Sequence, residues 1–252
     1  MKEKYAGSVL HAAKPQPGGA RPGPDPCAAC TARVLSVCDV IEQQDLGRLV
    51  ALTTSLEVEA HRTFINAGDP ANSLFNITEG VVKVYRLLSD GRQQITGFLF
   101  QGDFLGLATE NTYAFSAEAV TSVRYCRFGR KALEQFLGEF PKMEHRLLTI
   151  ASNELAAAQE QMVLLGRKTA REKLASFLTM LSRRMGRLGK SEDRLELPMS
   201  RADIADYLGL TTETVSRTFT HFREEGLIEL PKGGSGVRLK NRAALAELGD
   251  GG

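Results

Sequence analysis

Four cysteines carry the first chemical signal in this chain. Cys27, Cys30 and Cys38 fall within twelve residues as Cys-x2-Cys-x7-Cys, and Cys126 lies far downstream. Thiolates are soft ligands, and a short loop plus one distant residue can enclose a metal centre. The spacing alone leaves three chemistries open: an iron–sulfur cluster, a structural zinc on the same four thiolates, or a redox disulfide. Cys126 taken singly also suits a small buried core residue. His11, His61, His145 and His221 show no local metal spacing and read as surface or core residues.

A second constellation runs from Ser200 to Phe219. Ser200 and Asp203 stand at capping-box spacing, and Ile204, Ala205 and Leu208 form one apolar face. Gly209 suits a tight turn with positive φ, Leu210 plugs the space between two helices, and Thr211 or Thr212 can cap the second helix. With Val215, Phe219 and Phe222 turned inward, Thr212, Glu213, Ser216, Arg217 and Thr220 are left outward. A guanidinium, a carboxylate and hydroxyls on one helix face suit guanine, cytosine and mixed partners in the major groove. The competing interpretation is an ordinary helical hairpin with a solvated polar face. Leu227–Leu230 and Val237–Leu239 flank a Pro/Gly-rich turn and predict a hairpin wing, where Lys232, Arg238 and Lys240 can meet phosphates.

These groups need elements to position them. Residues 1–26 hold five of the nine prolines and no apolar core, so they predict a flexible leader rather than an export signal. From Leu35 to Ser55 the apolar spacing suggests one or two short amphipathic helices. Between Val58 and Phe128, β-like runs (Arg62–Ile65, Leu74–Ile77, Val81–Leu88, Gln94–Phe100) end in turn residues and predict an antiparallel roll. After Pro141 no proline or glycine intervenes until Gly166, and Leu148, Ala151, Leu155, Ala158, Met162 and Leu165 alternate steps of three and four. That seam predicts a dimer helix, with packing on its own domain as the alternative. Another amphipathic helix is expected over Ala170–Met185. The resulting division is a leader (1–26), a sensory roll with its cysteine loop (27–140), a dimerisation helix (141–166) and a winged helix-turn-helix domain (167–252).

Charge follows this division. The net charge of +2 conceals twelve Lys/Arg against sixteen Asp/Glu over residues 31–166, and sixteen against ten over 167–242. The basic half is where a polyanion is expected. With 42% hydrophobic residues and no long apolar run, the chain predicts a soluble, cytoplasmic protein with no membrane partner.

The ordered pattern of Gly-Asp turns, long helix and C-terminal winged helix resembles the cyclic-AMP-receptor/FNR superfamily of transcription regulators, from about Cys27 to Leu248. Glu213-Thr-Val-Ser216-Arg217, Leu208-Gly-Leu-Thr and Leu181-Ser-Arg-Arg look like its oxygen-responsive FNR branch. The resemblance implies an α+β fold, a homodimer on double-stranded DNA, and Glu213, Ser216 and Arg217 reading a TTGAT-type half-site. It implies that Cys27, Cys30, Cys38 and Cys126 hold an oxygen-labile [4Fe–4S] cluster, with zinc the alternative cofactor. It also implies contact with RNA polymerase, for which the turn Ser89-Asp-Gly-Arg92 is a candidate beside its plain reading as a hairpin turn. Cluster assembly is then expected to order the loop against the roll and favour the paired helix and DNA binding.

The superfamily's other mode, a cyclic nucleotide in the roll, fits poorly because residues 93–123 contain no Lys or Arg to meet a buried phosphate. A ferredoxin-like electron carrier would explain the cysteines but not the Glu213–Arg217 face. No phosphate loop, nucleophile elbow or paired-His motif points to an enzyme.

Overall fold

The architecture comes from a computed structural model, which describes residues 27, 29–107, 110–231 and 236–251. The expected leader and Lys232 lie outside the described residues. Where one or two amphipathic helices are expected near the start, the chain instead forms three 3-10 turns (Arg33–Leu35, Val37–Val40, Gln43–Asp45) and a single short helix α1 (Leu46–Ala51). Ser55 already belongs to a strand, because Thr53–Val58 pairs in register with Val123–Phe128.

The roll follows as β1 (Thr53–Val58), β2 (Thr63–Ile65), β3 (Ser73–Glu79), β4 (Val82–Leu87), β5 (Gln93–Leu99), β6 (Phe104–Leu105), β7 (Ser116–Ala119) and β8 (Val123–Gly129). They make two four-stranded antiparallel sheets, ordered β1-β8-β3-β6 and β2-β7-β4-β5. Ile65, Phe75, Ile77, Val82, Val84, Ala117 and Val123 fill the space between them. β3 is buried on both faces. Phe75 and Ile77 face the roll core, while Leu74 belongs to a second core with Val37, Ile41, Leu49, Phe104 and Phe128 under the cysteine segment.

Helix α2 (Arg130–Glu139) leads to α3 (Pro141–Arg167), with proline in its first turn. Of its 27 residues only Met143 and Leu164 are buried, and Leu148, Leu155 and Met162 are each more than 60% exposed. Met143 joins the core under the cysteines and Leu164 joins a core that the C-terminal part shares with Phe98 and Phe100 of the roll, about 32 Å further along α3.

The remainder comprises α4 (Ala170–Arg187), β9 (Arg194–Glu196), α5 (Arg201–Leu208), α6 (Thr212–Glu224), β10 (Ile228–Glu229), β11 (Gly236–Leu239) and α7 (Arg242–Asp250). The expected wing hairpin is part of a three-stranded sheet ordered β10-β11-β9. The fold is therefore α+β, with a β-roll, a long helix and a winged helix-turn-helix.

Candidate metal centre and nucleic-acid interface

The four cysteines arrive from three local structures. Cys27 and Cys30 stand in a turn closed by Cys30 N–H donating to the Cys27 carbonyl, and Arg33 N–H donates to the Cys30 carbonyl. Cys38 sits in the 3-10 turn Val37–Val40, whose start is capped by the Ser36 hydroxyl accepting from Cys38 N–H at 3.1 Å. Cys126 is on β8, on the face shared with Phe128. All four line one small cavity together with Arg33, Ser36, Leu49, Thr53, Asn76 and Phe128. They share a cavity rather than a point: among the described residues, no three His, Cys, Asp or Glu side chains form a group suited to a metal ion.

The loop is held from several sides. The Arg33 guanidinium donates to the Ile41 carbonyl and to Gln43 Oε1, and Gln101 Nε2 donates to Thr31 Oγ1 at 2.8 Å. The Gly102-Asp103 turn carries Gly102 at φ +92°, its Cα pressed so close to Leu35 that a Cβ would stand 2.6 Å from that residue's Cβ. From the other side Met143 of α3 packs into the same core, with Leu147 and Ile150 against it.

Burial pushes the Cys38 and Cys126 thiols up to about 12, and the neighbouring sulfurs add to the effect; a hydrogen bond with Ser36 partly offsets it at Cys38. Among the described residues, burial outweighs what would hold these two groups as thiolates. Coordination to a cation would do so, because it removes the thiol proton. Among the described residues the cavity wall carries four thiols and no carboxylate or imidazole, a set that suits an iron–sulfur cluster and zinc alike.

At the other end, Ser200 and Asp203 complete the capping box of α5, with Asp203 N–H donating to Ser200 Oγ at 3.0 Å and Ser200 N–H to Asp203 Oδ2 at 2.9 Å. Gly209 ends α5 at φ +60°, as the turn needs. Thr211, not Thr212, caps α6. Val215, Phe219 and Phe222 are buried, and so is Thr218, which bonds back to the Thr214 carbonyl. Thr212, Glu213, Ser216 and Arg217 are exposed and Thr220 is half-buried. Hydrogen bonds from its own backbone and from Thr211 hold the Glu213 carboxyl below its ordinary range, with Arg217 adding a smaller effect. It is therefore an ionised acceptor on the face that carries Arg217 as donor.

Sequence reasoning missed the residues that join these ends. Lys83 on β4 pairs with both Glu118 and Asp203, and the guanidinium of Arg184 on α4 pairs with Asp103. Gln161 of α3 donates to the Tyr207 carbonyl at 2.9 Å. Leu165, counted in the expected seam, packs partly against the C-terminal core and meets Gly209. No local sequence signal marks pairings of this range.

Comparison with known proteins agrees with this layout. A family described as Crp-like helix-turn-helix domain matches residues 172–248, and one described as cyclic nucleotide-binding domain matches 55–140. The chain is 41% identical over 208 residues to the nitrogen fixation regulation protein FixK of Bradyrhizobium diazoefficiens, spanning 82% of this chain and 88% of that one. It is 36% identical to the transcriptional activator protein FnrL of Cereibacter sphaeroides, over 81% and 84% of the two chains. The solved structure of FixK2 from Bradyrhizobium japonicum superposes with a TM-score of 0.72 at 35% identity, covering 78% of this chain and 96% of that one. These relatives are transcription regulators, not enzymes, and among the described residues no helix is long and apolar enough to cross a membrane. With a roll, a long connecting helix and a Crp-like reading head in that order, the chain belongs to the Crp/FNR family of dimeric, DNA-binding transcription regulators.

Proposed function

We propose that this chain is an oxygen-responsive transcription activator, which dimerises and binds a TTGAT-type palindrome when Cys27, Cys30, Cys38 and Cys126 hold a [4Fe–4S] cluster. The observation that carries the reading is the convergence of four thiols on one cavity beneath a loop that packs against α3. Cys27, Cys30, Cys38 and Cys126 would hold the cluster, which would supply the sensitivity to dioxygen. The chain's own residues do the rest. The cysteine turns carry Val37 and Ile41 into the core that receives Met143, so fixing the loop fixes the start of α3. The seam of exposed Leu148, Leu155, Ala158 and Met162 and half-buried Ala151, with Leu165 at its end, then packs on a second copy.

The C-terminal end of α3 touches the helix-turn-helix through Gln161 and Leu165, so pairing two helices sets the distance between two α6 reading heads. In each head Arg217 donates to a guanine edge, Glu213 accepts from the opposing cytosine amine, and Ser216 and the flanking Thr212 and Thr220 bond or touch neighbouring bases. Arg238 and Lys240 on the wing meet phosphates. The turn at Ser89–Arg92, closed by an Asp90–Arg92 ion pair, offers the surface for RNA polymerase. In this reading the sensory, dimerising and DNA-binding roles fall to residues 27–140, 141–166 and 167–252.

Iron and sulfide analysis with a visible spectrum under strict anaerobiosis tests the proposal. Brown, dimeric protein that loses both colour and operator affinity in air is expected. Colourless protein with stoichiometric zinc, or affinity unchanged by air, overturns it.

A further inference from the structure

Asn76 is out of keeping with its surroundings. On the pair β3–β8, Leu74 stands opposite Phe128 and Asn76 opposite Cys126, so Asn76 lies in the row that faces the cysteine segment. It is 2% exposed and lines the same cavity as the four thiols. Among the described residues its Oδ1 has no hydrogen-bond partner.

A buried carboxamide left unpaired costs about 1–3 kcal/mol, whereas an apolar side chain of similar size is close to neutral there. The other polar side chains on the wall are engaged. The Ser36 hydroxyl donates to the Arg33 carbonyl and accepts from Cys38 N–H, Arg33 donates to Ile41 and Gln43, and Thr53 Oγ1 donates to the Val50 carbonyl. Among the described residues on the wall, Asn76 Oδ1 is the buried side-chain N or O atom left without a partner, and so available to an occupant of the cavity. Sulfur centres offer acceptors, and a carboxamide offers two N–H donors at an end that matches its oxygen in size, so a half-turn about its last torsion brings Nδ2 to the place of Oδ1.

We propose that Asn76 is a positioning residue for the cluster, donating an N–H to sulfur beside Cys126 and thereby slowing the cluster's oxidation. This rests on the cluster reading given above. A hydrogen bond to sulfur favours the more electron-rich state and raises the potential. Electron loss to dioxygen then becomes harder, with dioxygen the oxidant and superoxide its product.

The test uses the full chain purified anaerobically, as wild type, Asn76→Val, Asn76→Leu and the donor-retaining Asn76→Thr. Iron and sulfide content, midpoint potential, the rate of bleaching in air and the melting temperature of the iron-free chain are measured. Both apolar variants are expected to load iron, show a lower potential and bleach about fivefold faster, the equivalent of one neutral hydrogen bond. Their iron-free forms are expected to melt no lower than wild type, and Asn76→Thr to recover part of the potential. Wild-type potential and bleaching in a loaded apolar variant overturn the inference alone. So does an iron-free chain destabilised by both apolar substitutions, since that marks a purely structural role. Wild-type protein without iron and sulfide overturns the cluster reading and this inference together.

Discussion

Lys83 Nζ lies 2.9 Å from Asp203 Oδ1, across a sequence separation of 120 residues, and 3.1 Å from Glu118 Oε1. One ammonium thus ties two strands of the roll to the carboxylate that completes the capping box of the first DNA-binding helix. Gln94 Nε2 reinforces the contact by donating to the Asp206 carbonyl at 2.6 Å, and the Arg184–Asp103 pair lies nearby, with Arg184 also over the Phe100 ring at 4.8 Å. Apolar packing is continuous across the same boundary, since Phe98 of β5 meets both Phe177 and Tyr207.

Replacing Lys83 with Met leaves Glu118 and Asp203 facing each other with no cation between them. The side chains are 12–18% exposed, so the expected loss lies between the surface and buried limits, about 2 kcal/mol. It falls on the domain contact rather than on either core. Thermal unfolding should separate into two steps, and hydrogen exchange should quicken in α5. A single transition at the wild-type temperature shows that apolar packing alone sustains the docking.

The same triad sets a pH window. Burial works to raise the Asp203 carboxyl, but hydrogen bonds from Ser200 and Lys83 outweigh it, so the group sits below its ordinary 3.8. Its stabilisation is complete above 3.8 and is lost as pH falls through the lowered value. Burial works to lower Lys83, and its bonds to Asp203 and Glu118 outweigh that and hold it above 10.5. Its contribution is complete below 10.5 and is lost as pH rises through the raised value. Asp206 opposes the pair: burial, with Asp203 beside it, raises its carboxyl, an effect that weakens the fold as pH rises through the carboxylate range. Melting curves from pH 3 to 9 should therefore show docking vary only on the acid side, and Asp203→Asn should flatten that limb. An unchanged acid limb in the variant assigns the pH dependence elsewhere.

Arg217→Ala should cost about 1–3 kcal/mol on the preferred operator and abolish discrimination at its guanine. Lys240→Ala should weaken all sequences alike and reduce the salt slope by about one ion. Fluorescence anisotropy on a set of single-base operator variants distinguishes the two. Retained guanine preference in Arg217→Ala removes that side chain from base reading.

How much of this is visible beforehand depends on range. The helix-turn-helix is legible because its signals are local: Ser200 and Asp203 three apart, Gly209 at the turn and a hydroxyl at Thr211. The strands of the roll are legible because runs such as Leu74–Ile77 and Gln94–Phe100 end in turn residues. By contrast, β9 is missed because Arg194-Leu-Glu offers a single apolar residue and becomes a strand only through pairing with β11. Helix α7 is missed although Asn241 caps it, because its short apolar run follows directly on the wing. That the four cysteines belong together comes from the family likeness, since spacing says nothing of where Cys126 lies. Asn76 and the Lys83–Asp203 pair are invisible in one dimension, because each depends on which strands become neighbours.

Leu155→Glu should dissociate the dimer. In a two-fold pairing the introduced carboxylate meets its own copy and an apolar contact worth about 1.5–3 kcal/mol per side chain is lost twice. The dimer constant should weaken by at least about 100-fold, measured by sedimentation equilibrium. The monomer should keep its fold, because Leu155 is 62% exposed. A variant that stays dimeric moves the interface off this face of α3.

Gly102 ties the roll to the cysteine segment. Its φ of +92° disfavours any side chain, and the space for a Cβ is taken by Leu35, the residue that ends the first 3-10 turn of the cysteine segment. Asp103 then turns back to accept from Phe100 N–H at 2.8 Å and to pair with Arg184, so its carboxylate is committed to the protein. Gly102→Ala should therefore both strain the turn, at about 1–3 kcal/mol, and push Leu35 away from the roll. Melting should fall by several degrees. On the proposed cluster reading iron retention should fall too, because Leu35 lies between Cys30 and Cys38. A variant that melts lower while holding iron as wild type does would show that the turn supports the roll alone. Coupled loss of both quantities assigns Gly102 to seating the cysteine loop.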